Sequence, residues 1–332
     1  MTEPSEPTFT GESLLEIIAF MQARLAAGAS PLAFRVLDPD LGRGRYPGES
    51  IEHAGRAWVH RPFRIWVDLA ERLGLRLLTP HIERELVRLR FEPLDRSNRW
   101  DASTTGELTE RYGNASAYSR ITKLEDPGFV LDFADALDRV DGGVPPRILD
   151  LGVNTGDELA LIHALRPAWT STAAFVGVDH SRSALEVARR RFRAPNHQFI
   201  EGDLNALEAL ALGTFDLVVS LNTFQSAGID DRELLRRVVQ HHLARDAAVI
   251  LGLPNVRYVD GELDYGARMK NFSQPELGLL IKDVAFYRKY LQQHHRQVFV
   301  TGKHYVLITA IAAPGDRAPR PKSGRDPHVP RR

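Results

Sequence analysis

The chain has no cysteine in 332 residues, which excludes thiolate zinc sites, iron–sulfur clusters, thiol nucleophiles and disulfides. It also lacks any apolar run of about eighteen residues or more, the length a membrane helix needs. Its first residues do not show the basic-then-apolar layout of a secretory leader, so a cytoplasmic, non-membrane protein is expected. Neither sign of charge dominates: 43 Lys and Arg face 43 Asp and Glu, so no overall field draws the chain to nucleic acid. What remains is an ordinary globular composition, 43% apolar, long enough for one sizeable core and a second, smaller one.

Residues 1–10 carry few apolar side chains and 314–332 are rich in Pro, Arg and Gly, so both ends are predicted to be disordered, the second as a basic tail. From Ser13 to Ala27, Leu14, Ile17, Ile18, Met21 and Leu25 recur at helical spacing and Gly28 marks the stop. A short strand around Phe34 to Leu37 precedes a loop. A second helix after Pro62 turns Ile65, Trp66, Leu69, Ala70 and Leu73 inward and ends at Gly74. Leu75 to Thr79 and Glu85 to Phe91 read as strands. Residues 11–100 therefore form a small α+β region, a candidate for recognising whatever the rest of the chain acts on.

From Asp101 the pattern changes. Glu107 to Tyr112 and Pro127 to Val140 predict two helices around a polar loop that bears tyrosines. Then Arg147 to Leu151, Ala174 to Val178, His197 to Glu201, Phe215 to Ser220 and Ala247 to Leu251 are short apolar runs, each separated from the next by a helix-length segment. Such alternation predicts a doubly wound, mainly parallel sheet over 101–313. After a helix from Gln274 to His294, the runs Gln297 to Thr301 and His304 to Ala312 are too close for a crossover and predict an antiparallel hairpin, making seven strands.

Three acids sit at three successive strand ends. Asp150–Leu–Gly152–Val–Asn154–Thr–Gly156 is a strand end, a glycine turn and a helix start, where backbone can approach a ligand closely and free N–H groups favour an anion. Asp150 can meet a ligand's ammonium there. Asp179, at the next strand tip, has the spacing of a ribose-binding carboxylate. Asp203 follows the third strand, where a purine amino group can be bonded; as a competing reading, each acid caps a helix.

This order, with Phe215–Asp–Leu–Val–Val–Ser220 after it, resembles class I S-adenosylmethionine (SAM) dependent methyltransferases of the type 11/12-like kind, over roughly half the chain. The resemblance implies that Asp150, Gly152, Asn154 and Gly156 wrap the methionyl part, Asp179 holds the ribose, and Asp203 with Leu204 and His180 holds adenine. It further implies that Ser220 to Gln225 face the methyl group, and that Tyr112, Tyr118 and Arg120 cap the ligand. Asn154 stands where the family usually has a glycine, and His180 where it usually has an apolar residue. Asn reaches left-handed conformations more readily than most residues.

Transfer of a methyl from a sulfonium is an in-line displacement that requires alignment and no metal. Asn222 and Gln225 on the fourth-strand segment, and Asp264 and Tyr265 beyond the fifth strand, are the candidate catalytic residues. The segment lacks the Asn/Asp-Pro-Pro-Tyr/Phe motif of enzymes that methylate planar nitrogens. After the fifth strand a long polar stretch offers Asn255, Arg257, Tyr258, Tyr265, Arg268 and Lys270 to an acceptor, or else to one another as a solvated crossover. The expected acceptor is a small molecule methylated on O or N. RNA or protein methylation, a non-catalytic SAM-binding protein and a nicotinamide dehydrogenase compete with that reading, although Gly-x-Gly-x-x-Gly is absent. The basic tail, with Arg317, Arg320, Lys322 and Arg325, offers a contact for an anionic partner, and oligomeric state is left open.

Overall fold

A computed structural model describes residues 6–41, 44–98, 110, 112–140, 146–265 and 277–313. The chain divides into two compact units, one formed by Met1–Ala102 with Arg257–Tyr265, the other by Ser103–Val256 with Gly266–Arg332.

In the first unit α1 (Leu14–Ala26) begins at a reciprocal capping box. Glu16 accepts from the Ser13 backbone at 2.7 Å and the Ser13 hydroxyl accepts from the Glu16 amide at 3.2 Å. β1 (Leu32–Leu37), the hairpin β2 (Ser50–His53) and β3 (Arg56–Val59), α2 (Phe63–Leu73), β4 (Leu75–Leu77), β5 (His81–Glu83) and β6 (Leu86–Pro93) follow. β6 is antiparallel to β1, β4 and β5. On the β6 face, Val87, Leu89 and Phe91 alternate inward, and Phe91 stacks on Phe34 at 5.4 Å between ring centres. Gly74 takes φ 66° to end α2.

The structure differs from the sequence expectation at three places here. Residues 6–10 are ordered: the Phe9 amide donates to the Arg35 carbonyl at 2.9 Å, and its ring packs in the core 5.1 Å from Phe34. Backbone bonds of Pro7 and Thr10 with Arg35 and Val59, and ion pairs of Glu6 with Arg35 and Arg88, add to that ring contact. Between the loop expected up to Glu49 and the helix expected after Pro62, where the sequence suggests no element, lies the β2–β3 hairpin, whose turn Ala54–Gly55 has φ 50° and 69°. A primed turn built on Ala lacks the usual Asn-Gly signature. Finally, β5 is only three residues long, too short to leave a period.

The second unit holds α3 (Pro127–Arg139), β7 (Arg147–Leu151), α4 (Asp157–Leu165), α5 (Pro167–Thr172), β8 (Ala174–Asp179), α6 (Arg182–Arg191), β9 (His197–Glu201), β10 (Phe215–Leu221), α7 (Asp231–Arg237) and β11 (Leu243–Pro254). Beyond β12 (Val256–Val259) and β13 (Glu262–Tyr265) come α8 (Leu277–Gln293), β14 (Arg296–Gly302) and β15 (Tyr305–Ala312). The mixed sheet runs β14-β15-β11-β10-β7-β8-β9. β11, β10, β7, β8 and β9 are mutually parallel, while β15 is antiparallel to β11 and to β14.

Two cores cover the two faces. Ile148, Phe175, Leu217 and Val219 face α3, α4 and α6, and Leu149, Leu151, Val176, Val178 and Val218 face α7 and α8. The period-two alternation of each strand makes this division. Asp150 takes its place in the row that begins with Ile148, so a carboxylate is carried into the layer of α3, α4 and α6. The expected helix over Glu107 to Tyr112 lies outside the described residues except for Glu110 and Tyr112, as does the tail from Pro314. No helix among the described residues is long and apolar enough to cross a membrane.

His163 on α4 and His197 on β9 lie 5.0 Å apart between ring centres, against Phe192 and Phe175. Burial lowers the pKa of both below the ordinary histidine value, and for His163 the neighbouring His197 adds to it. The folded state therefore holds both neutral, while the unfolded chain protonates them below about pH 6.5. Stability should fall as pH drops through that range. Urea unfolding at pH 7.5 and 5.5 is expected to show a smaller loss for His163→Phe than for the wild type.

Candidate functional site

The turn after β7 departs from the sheet by fastening to its neighbour: the Gly152 and Val153 amides both donate to the Val178 carbonyl, at 2.7 and 3.2 Å. Val153 is then buried against Gly177 of β8, where a Cβ would come within 2.8 Å of its side chain. Gly152, Asn154 and Gly156 have φ 81°, 47° and 85°. A Cβ on Gly152 would lie 2.0 Å from the Thr223 hydroxyl, and one on Gly156 2.6 Å from the Phe192 ring. Both positions therefore need glycine on two counts, space and backbone conformation. Asn154 tolerates the left-handed region by engaging its own amide. Its Oδ1 accepts from Thr155 N at 2.9 Å and its Nδ2 donates to the Tyr112 carbonyl at 2.6 Å.

Asp179 at the end of β8 holds this turn from the side. Its Oδ2 accepts from the Asn154 amide at 2.9 Å and its Oδ1 from the Ser181 amide at 2.8 Å. Asp179 as a whole is 7% exposed. His180 leaves its buried Nε2 without a partner. Asp203 is exposed and caps the 3-10 segment Leu204–Leu210 through the Asn205 amide at 2.9 Å, with Leu204 buried behind it.

Beneath the turn, Asp150 is fully buried and neither of its carboxylate oxygens has a hydrogen-bond partner. Glu158, in the first turn of α4, is buried beside it and forms an ion pair with Lys123, which comes from the short 3-10 segment Lys123–Glu125. Burial, then Glu158, push the Asp150 carboxyl well above the carboxylate range; Lys123 opposes this and Asp179 adds to it. Burial also opposes the charge on Lys123, but Glu158 more than restores it and holds the ammonium above its ordinary pKa. The Tyr118 phenol, raised by burial, neighbours the same groups and is hydrogen-bonded to the Asn222 side chain. Tyr118 and Tyr112 meet edge to face at 5.1 Å.

Asn222 lies one residue past β10, with φ 65°, and its Oδ1 is buried and unpartnered. A non-glycine residue held in that region costs about 1–3 kcal/mol. Ser220, two residues earlier, is buried and donates its hydroxyl to the Leu151 carbonyl at 2.9 Å. Gln225 is fully buried and donates to Asp283 of α8 at 3.1 Å, which ties it to the α8 side of the core. Arg120 is exposed at the end of the 3-10 segment Ala117–Arg120.

The stretch expected as a long polar loop after the fifth strand is, in its described part, the hairpin β12–β13, turning at Asp260 and Gly261 with φ 49° and 83°. An Asp-Gly pair between alternating residues is the sequence signal that reports such a hairpin. Its side chains are engaged within the N-terminal unit. Arg257 pairs with Asp264 at 2.6 Å, the Tyr265 amide donates to Glu71 at 3.0 Å, and Arg76 pairs with Asp260 and with Glu262. Tyr258 is half-buried on β12. Asn255, the last of these residues in the sheet unit, is buried and donates to the Lys303 carbonyl at 2.9 Å. Arg268 and Lys270 lie outside the described residues.

Three site residues had no sequence signal. Lys123 sits in an irregular polar stretch, Glu158 reads as an ordinary first-turn acid, and Glu110 reaches from afar to accept from Ser181 and Ser183 at the start of α6.

Residues 148–245 match the model of a family described as a methyltransferase domain. Over residues 148–245 the sheet unit is thus similar to methyltransferase domains. Similar solved structures include the plantazolicin methyltransferase BpumL in complex with SAH, at 14% identity over 59% of this chain and 88% of that one, TM-score 0.44. The CurJ carbon methyltransferase matches at 12% identity over 76% of this chain and 79% of that one, TM-score 0.46. An O-methyltransferase family protein from Burkholderia thailandensis matches at 14% identity over 76% and 84%, TM-score 0.39. A search of curated proteins found no match.

Two substitutions test this arrangement. Lys123→Ala leaves Glu158 buried without its cation, and urea unfolding should show a loss of about 3–5 kcal/mol; a loss below about 1 kcal/mol would show the pair to be dispensable. Gly152→Ala forces a Cβ into Thr223. Thr223→Ala should partly relieve Gly152→Ala, as measured by melting temperature, whereas no relief would mean that φ alone sets the cost.

Proposed function

We propose that this chain transfers a methyl group from SAM to an oxygen or nitrogen atom of a small-molecule acceptor by in-line displacement. The observation that carries the reading is the fully buried carboxylate of Asp150, which has no partner and lies under a glycine turn whose conformation only glycine and asparagine fill. A buried carboxylate left unpaired is costly, and a ligand's ammonium removes that cost.

The residues present fit the cofactor. Asp150 would take the ammonium and the Gly152–Gly156 turn would lie along the methionyl chain. The free amides at the start of α4 would suit its carboxylate. Asp179, already fixed by two backbone amides, would present its remaining lone pairs to the ribose hydroxyls, with His180 and Leu204 flanking the base and Asp203 near its amino group. Tyr112, Tyr118 and Arg120 would close over the ligand. When bound, SAM supplies an electrophilic methyl on a sulfonium, so the protein needs to align the acceptor and exclude water.

Among the fourth-strand residues, Asn222 is the candidate for that alignment. Its buried Oδ1 is free to accept an N–H or O–H hydrogen bond; Gln225 Oε1 is likewise buried without a partner, but its Nε2 donates to Asp283, which holds that side chain on the α8 side of the sheet. Asp264 is paired with Arg257, and the Tyr265 backbone amide donates to Glu71.

Calorimetric titration with S-adenosylhomocysteine (SAH) is the decisive measurement. The wild type should bind, and Asp179→Ala should weaken binding by about 30- to 150-fold, roughly 2–3 kcal/mol for hydrogen bonds to a charged group. Binding of NAD with none of SAH or SAM would replace the proposal with a dehydrogenase.

A further inference from the structure

The groups around Asp150 carry more negative charge than cation. Glu158 faces it from α4, Asp179 from β8, and Lys123 from the 3-10 segment, with the Tyr118 phenol alongside. Lys123 is the one cation in this set, and its ion pair is with Glu158. Asp150 receives no hydrogen bond on either oxygen, and the second oxygen of Glu158 is buried without a partner too. Gly177 and Val219, its register partners on the two neighbouring strands, bring no polar group to it. An ionised carboxylate in such a place lacks both water and a counter-charge.

We infer that Asp150 holds a proton when no ligand is bound and exchanges it for the primary ammonium of the cofactor, so that cofactor binding releases one proton. The inference rests on the cofactor reading above. The balance is simple: the neutral carboxylic acid loses its proton to solvent, no covalent bond to the ligand forms, and the resulting carboxylate is neutralised by the incoming ammonium. The pKa of Asp150 is raised chiefly by burial and by Glu158, which is the direction the exchange requires. By linkage, affinity should then rise about tenfold per pH unit while the free protein still holds the proton, and level off once it does not.

The test is isothermal titration of the full chain with SAH at pH 7, in two buffers of different ionisation enthalpy, to count protons. About one proton should be released per SAH bound. 5′-Methylthioadenosine, which keeps the nucleoside and the sulfur but has no amino acid, should bind without release. Glu158→Gln removes the nearest negative charge while leaving Lys123 beside Asp150, so release at pH 7 should fall towards zero; Asp150→Asn should abolish it. Should either variant fail to fold, the comparison of the two ligands on the wild type stands alone. SAH binding with no proton exchanged, or equal exchange with 5′-methylthioadenosine, overturns this inference and leaves the cofactor reading intact. No binding of SAH at all overturns both.

Discussion

A charge placed in a protein interior must be neutralised, hydrogen-bonded or protonated. Asp150, Glu158 and Lys123 bring that constraint to one point at the base of the glycine turn, and the surrounding architecture follows from how it is met. Lys123 reaches Glu158 from a segment upstream of α3, so the ion pair ties the tyrosine-bearing 3-10 turns to the first turn of α4. Asp150 is left as the one member of the trio with no partner at all. The region that would cover a ligand and the turn that would cradle it are thus joined through buried charge rather than through apolar packing alone.

The second carboxylate works differently. Asp179 spends two acceptor sites on backbone amides, Asn154 on one side and Ser181 on the other. It therefore fixes the glycine turn and the start of α6 together, and its orientation is set before any ligand arrives. Such preorganisation lowers the ordering cost of binding. Glu110 adds a further tie at the same helix start. Around the glycine turn, then, one acid is satisfied by backbone, one by lysine, and one has no partner.

Much of the sheet unit was legible in the sequence because buried parallel strands leave short apolar runs bounded by glycine or acid, and helices between them leave a different period. β7 and β9 fall on the residues the pattern gives, and β8 and β10 extend one residue further. Hairpins were less legible. The β2–β3 turn uses Ala54, which carries no turn signal, while the Asp260–Gly261 turn does carry one but sits in a polar stretch that also reads as a loop. Composition misled at residues 6–10, where the Phe9 ring, backbone hydrogen bonds to Arg35 and Val59 and the ion pairs of Glu6 with Arg35 and Arg88 secure a segment otherwise made of polar residues and proline.

For the site, sequence by itself determined the acids at the strand tips and the glycines between them, because strand ends and tight turns are local events that residue type dictates. Only the tertiary structure decided what each acid does. Asp150 becomes an unpartnered buried acid because strand alternation carries it into the layer of α3, α4 and α6, and Gln225 becomes a core residue because α8 covers it. Arg257 and Asp264 turn to each other because their strands pair. Burial and pairing depend on residues distant in the chain, and no local pattern of residue types encodes them.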